Sequence, residues 1–318
     1  MQSMTVHSYA ARLATAIAMI LLATPTVRAQ DAFESFKQLD STAKMPKLKA
    51  FSPDLGNAIV SQTAKNVTCE AKLTSDGEAV KQGLSWRVFS PIPGDDGKLP
   101  LLASSVGGSA KFELSPGDYF VNVSFGRAAV TKKLTIPRDG DVEKQVLVLD
   151  AGGVLLNAVS GSDTSIPAKD LRFNVYSAEV QADGERGLVL ADVKPNTIVR
   201  LNAGTYHIVS EYGSVNAAVR ADIKVEAGKL TEATIQHRAS QINFKLVSEE
   251  GGEAIADTAW SILTAAGDVV AESVSAFPVM VLAEGQYTAI ARNKDKIYQK
   301  EFAVSAGQNT DVELLLTE

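Results

Sequence analysis

Three stretches of the chain follow one pattern: LSPGDYFVNVSFG at 114–126, LNAGTYHIVSEYG at 201–213 and LAEGQYTAIARNK at 282–294. Each opens with L-x-x-G-x-Y and continues with small or apolar residues at every second position: Val121 and Val123, Ile208 and Ser210, Ala289 and Ala291. Working outward, each has an alternating run upstream with a large aromatic at or near its centre. These runs are Leu84-x-Trp86-x-Val88, Leu171-x-Phe173-x-Val175 and Thr258-x-Trp260-x-Ile262. Downstream, Gly140, Gly228 and Gly307 each precede a last alternating run: Val146-x-Val148, Ala233-x-Ile235 and Val312-x-Leu314-x-Leu316. The landmarks recur in register at intervals of roughly 80–87 residues, the mark of a tandem structural repeat.

Period-2 apolar residues in short runs bounded by Gly, Pro, Asn and Asp form strands with one buried face. Gly117, Gly204 and Gly285 stand two residues before each tyrosine, where a corner can require positive φ. Gly126 and Gly213 come seven residues after their tyrosines and suit hairpin turns, a place taken by Asn293-Lys294 in the third copy. About seven strands per copy indicate an antiparallel two-layer β-sandwich, and L-x-x-G-x-Y reads as a tyrosine corner, its hydroxyl bonded to backbone upstream. Trp86, Phe173 and Trp260 are the expected centres of three cores. The fold class is all-β, with three tandem Ig-like or prealbumin-like antiparallel sandwiches.

The motif resembles the LxPGxYxVxVxxxG element of the carboxypeptidase regulatory-like (transthyretin-like) family, nearly throughout at 114–126 and in part in the other two copies. The resemblance implies a β-sandwich and, by family habit, a non-catalytic module of an exported protein. Val121, Ile208 and Ala289 occupy the position of the second cysteine of antibody-type domains, so no sandwich disulfide forms. Some surface proteins of this kind join first and last strands through a lysine–asparagine isopeptide bond. Lys72 or Lys245 offers the amine, but no asparagine recurs on the final strands, and no such bond is expected.

Residues 13–23 read LATAIAMILLA behind Arg12, with Pro25 and Val27-Arg28-Ala29 following. This is the arrangement of a secretory signal peptide cut after Ala29; the run is too short to cross a hydrocarbon core. The expected organisation is signal peptide 1–29, a leader helix and linker 30–65 with Phe33, Phe36 and Leu39 on one face, and sandwiches at 66–150, 151–239 and 240–318. The chain has 318 residues, 45% hydrophobic and 21% charged, with a net charge of −6. That composition excludes a disordered chain, and its acidity argues against binding a phosphate backbone. The single cysteine, Cys69, has the inward parity of its run and reads as a small core residue rather than a reactive thiol.

Catalytic constellations are not found. The histidines are His7, His207 and His237. His207 has outward parity and reads as a solvated imidazole, whereas His237, beside Arg238, falls at the joint between copies. No zinc set, G-x-S-x-G elbow or phosphate loop occurs. Asp95-Asp96 and the 249–253 cluster EEGGE lack the alternating spacing that aims carboxylates at calcium. No catalytic, metal or cofactor-binding residue is therefore assigned, and no cofactor or enzymatic activity is expected. The leading expectation is an exported binding or scaffolding module of a bacterial envelope, periplasmic or secreted, with a protein or glycan partner, no nucleic acid and no transmembrane anchor after cleavage. The alternative is a carbohydrate-binding accessory protein using Tyr176, Tyr212, Tyr298 or Phe120 as exposed platforms.

Overall fold

A computed structural model describes residues 64–316. The expected signal peptide and nearly all of the leader lie outside the described residues.

The first unit comprises β1 (Lys65–Lys72), β2 (Leu84–Phe89), β3 (Leu101–Gly107), β4 (Ala110–Leu114), β5 (Gly117–Phe125), β6 (Ala128–Ile136) and β7 (Gln145–Val148). They form a four-stranded sheet, β3-β2-β5-β6, facing a three-stranded sheet, β4-β1-β7. All neighbours are antiparallel except β1 and β7, the first and last strands, which run parallel.

The second unit repeats this plan with β8 (Ala151–Ser160), β9 (Thr164–Ser165), β10 (Leu171–Val180), β11 (Arg186–Val193), β12 (Ile198–Asn202), β13 (Gly204–Tyr212), β14 (Ala218–Val225) and β15 (Leu230–His237). Its sheets are β11-β10-β13-β14 and β12-β8-β15, with the two-residue β9 beside β8. In the third unit, β16 (Ala239–Val247), β17 (Thr258–Thr264), β18 (Val269–Val274), β19 (Val279–Ala283), β20 (Gly285–Asn293), β21 (Lys296–Val304) and β22 (Thr310–Leu315) give β18-β17-β20-β21 over β19-β16-β22. First and last strands are again parallel in both units.

Alternation explains the layering. Val67, Cys69 and Ala71 on β1 are buried against Trp86, while the intervening residues face outward. Trp86, Phe173 and Trp260 are essentially inaccessible and centre three separate cores. Both indoles keep their N–H satisfied: Trp86 Nε1 donates to Gly108 O at 2.7 Å and Trp260 Nε1 to Ser275 O at 2.9 Å. The corner reading holds in every unit. Tyr119, Tyr206 and Tyr287 donate their hydroxyls to the carbonyls of Ser115, Asn202 and Ala283, four residues upstream, at 2.8, 3.0 and 2.9 Å.

Two local expectations fail. Val146 and Val148 face outward at 38% exposure each, and the inward residues are Leu147 and Leu149. Four successive apolar residues carry no alternation, so the parity is set by pairing with β1, where Ala71 stands opposite Leu147. Positive φ occurs at Gly117 (154°) and Gly204 (156°) but not at Gly285, so the third corner turns without it.

Candidate functional site: the joints between units

The residues with the most specific polar geometry lie where one unit meets the next. At the first joint the β5–β6 hairpin tip, Gly126-Arg127, rests on β12 and β11 of the second unit. Arg127 N–H donates to Arg200 O at 3.0 Å. Its guanidinium donates to Val189 O from Nε at 3.1 Å and also from Nη2. Arg200 returns over the first unit, its guanidinium carbon 4.5 Å from the centre of the Phe125 ring. Asn202, the corner residue of the second unit, accepts from Ala129 N–H at 3.2 Å and donates to the carbonyls of Ala129 and Leu149 at 3.3 and 2.7 Å.

The second joint uses the same elements with different side chains. The β13–β14 hairpin meets β19, and Val281 of β19 packs into the core of the second unit. Val215 of the hairpin in turn packs on the third core. Here the amide sits on the hairpin: Asn216 Oδ1 accepts from Ala283 N–H at 2.9 Å, and its Nδ2 donates to the corner hydroxyl of Tyr287 at 2.9 Å. Arg238 Nε donates to Glu284 Oε2 at 2.6 Å. In both joints the linker carbonyl accepts from the second residue after the corner leucine: Asp150 O from Ala203 N–H, and Arg238 O from Glu284 N–H.

The hairpin glycines serve two purposes. Gly126 and Gly213 have φ of 65° and 71°, a region glycine enters without the strain that a Cβ brings. A Cβ at Gly126 would meet Arg200 Cβ at 2.9 Å, and one at Gly213 would meet Val281 Cβ at 2.6 Å. At the corresponding position of the third unit stands Lys294, with φ 53°.

His237 is placed at this second joint as expected, and is fully buried. Its Nε2 shares a 2.7 Å hydrogen bond with Ser210 Oγ, and its ring lies edge-on to Tyr212. Among the described residues Nδ1 has no hydrogen-bond partner, and burial pushes the imidazole pKa below its ordinary value. His207 differs from expectation: it is only partly exposed and bonds through Nδ1 to Asp222 Oδ1 at 2.7 Å, its partner across β13 and β14.

The remaining candidates resolve plainly. Asp96 Oδ1 accepts from Lys98 N–H at 3.0 Å within a turn, and Gly252 N–H bonds to Glu249 O. Among the described residues no group of three His, Cys, Asp or Glu is arranged to hold a metal ion. Lys245 Nζ lies 2.6 Å from Glu313 Oε1 across parallel strands β16 and β22, so this amine forms an ion pair. That lysine, with the Gly251 N–H, holds the Glu313 carboxyl below its usual pKa. Cys69 is inaccessible, and burial pushes its thiol up to about 11. None of the four proposed aromatic platforms is exposed: Tyr212 and Tyr298 are buried, Tyr176 and Phe120 half-buried. Among the described residues no helix is long and apolar enough to cross a membrane.

The sequence of the third unit matches a family model described as the Rhizobiales growth-associated tandem repeat domain, over residues 241–316. No curated protein matches the chain. Among solved structures, the Bacillus anthracis TIE protein is similar at 15% identity and a TM-score of 0.23, over 80% of this chain and 50% of that one. The Streptococcal ancillary pilin is similar at 12% identity and a TM-score of 0.27, over 80% and 99% of the two chains. The minor pilin GBS52 of Streptococcus agalactiae is similar at 14% identity and a TM-score of 0.29, over 54% and 95%. The chain thus spans half the length of the TIE protein, and the sequence family is matched over its third unit.

Proposed function

We propose that this protein is an exported, non-enzymatic spacer or scaffold of the bacterial envelope, made of sandwich domains at 66–150, 151–239 and 240–318. A leader and signal peptide precede them, and the work is done through a protein partner. The observation that carries this reading is the repeated joint. The same hairpin meets the same strand twice, with Asn202 fixing the first contact and Asn216 the second. Flexible linkers need no such side-chain amides, whereas a module that holds two points at a set separation does. The family description of the third unit, a tandem repeat of Rhizobiales, and the carboxypeptidase regulatory-like resemblance of the corner motif are both compatible with an exported bacterial repeat protein.

Pulsed electron spin resonance between spin labels at Lys111→Cys and Lys294→Cys tests the spacer. A narrow distance distribution is expected, broadened in the Arg127→Ala/Asn216→Ala variant. A broad distribution in the otherwise unaltered protein would overturn the fixed separation. Fractionation of cells carrying the tagged chain tests the compartment: recovery in the cytoplasm alone would remove the envelope assignment.

A further inference from the structure

Among the described residues, strand β3 is the outer edge of the first unit's four-stranded sheet, hydrogen-bonded to β2 on one side only. Its seven residues, LLASSVG, carry no charge. Leu102, Ser104 and Val106 face outward, with Leu102 53% and Val106 83% exposed. Unpaired backbone on a long uncharged edge is a template for another strand, and proteins normally blunt such edges with charges, bulges or covers. The corresponding edges are blunted. β11 carries Arg186 and Asp192 and repeated register breaks; β18 has one break, as β3 does where Leu102 bulges against β2, but it also carries Glu272, so charge is what sets β3 apart. The uncharged β19 is covered by the β13–β14 hairpin at the second joint, and β7 is only four residues long.

We propose that β3 is an assembly edge, and that its occupant is β3 of a second copy of this chain, paired antiparallel about a twofold axis at Ser104. The strand is complementary to itself in that register. Leu102 of each copy stands opposite Val106 of the other, and Ser104 faces Ser104. The two exposed apolar residues of each copy thereby form cross-strand pairs on one face. A net charge of −6 opposes approach of two copies in general, and an uncharged edge is where that opposition is weakest. The two sheets join as one of eight strands, β6-β5-β2-β3 continued by the same order reversed. The interface is isologous and closes at two copies rather than propagating.

Sedimentation velocity of the full chain over a concentration series tests this. A monomer–dimer equilibrium is expected, weakened about tenfold or more by Ser104→Lys, which sets two lysines directly opposite each other, or by Val106→Lys, which puts a charge against the partner's Leu102. Val274→Lys, an equally exposed change on β18, is expected to leave it unaltered, and circular dichroism confirms that each variant folds. Opposed antiparallel residues lie about 4.5–5.5 Å apart between Cα atoms, within disulfide range. Ser104→Cys should therefore cross-link to itself on oxidation. Leu102→Cys alone should not, and Leu102→Cys/Val106→Cys should. A monomer at every concentration, a dimer indifferent to both lysines, or failure of the Ser104→Cys cross-link overturns the proposal. So does a monomer whose β3 amides resist hydrogen exchange, because the chain's own leader then covers the edge.

Discussion

The close approach at the second joint can be weighed by replacing Gly213 with alanine. Two costs add. The residue has φ of 71°, and an L-residue held in the left-handed region loses about 1–2 kcal/mol. The new methyl would also stand 2.6 Å from Val281 Cβ, well inside ordinary contact, and overpacking of this kind costs about 1–3 kcal/mol. Gly184 supplies the reference: φ is 85°, and a Cβ there meets nothing within 4 Å. Gly184→Ala should therefore cost about 1–2 kcal/mol, and Gly213→Ala about 2–5 kcal/mol. Urea unfolding measures both, and hydrogen exchange should show the Gly213 loss concentrated in β16 and β19. Adding Val281→Gly removes the obstructing carbon, so the double variant should recover part of the difference as a favourable coupling energy. Equal losses at Gly184 and Gly213, or no coupling to Val281, would refute the claim that this hairpin is packed tightly on its neighbour.

Further outcomes follow from single contacts. Tyr206→Phe should cost about 0.5–1.5 kcal/mol, one hydrogen bond. Tyr287→Phe should cost more, because its hydroxyl both donates to Ala283 O and accepts from Asn216; thermal unfolding ranks the pair. His237 has a folded pKa below its unfolded one, so stability is complete above the unfolded value near 6.5 and declines as pH falls beneath it. The slope is at most about 1.4 kcal/mol per pH unit, and the decline ends at the folded pKa. His237→Asn should flatten this segment of the stability–pH curve. Cys69, buried with its thiol raised to about 11, should resist a thiol-reactive dye in the native protein and react in urea.

How much of this was legible in the sequence depended on the range of the contact. The corners were readable because donor and acceptor are four residues apart, as in Tyr119 and Ser115. The core aromatics were readable because strand parity repeats around them. Val146 and Val148 were misassigned because an unbroken apolar run holds no parity; the parallel partner β1 decides which side faces in. The pairing of His207 with Asp222 depends on hairpin register, which spacing alone does not specify. The joints were the least legible part. Asn202 and Asn216 lie at unrelated positions of the repeat and do the same work from opposite sides. Gly126 and Gly213 were visible as turn residues, but their second role, leaving room for Arg200 and Val281, exists only once the units meet.

The parallel pairing of first and last strands has a mechanical consequence. In each unit the chain enters at one end of the ladder and leaves from the other, so a pull on the two ends slides the strands past each other. Every hydrogen bond of the ladder is loaded together, and none can be peeled away alone. Resistance then scales with ladder length, which differs among the units. The ladder pairs Cys69–Lys72 with β7 in the first unit, Gly153–Ser160 with β15 in the second, and Ile242–Val247 with β22 in the third. Under tension the first unit is the fuse, and the second is the last to give way.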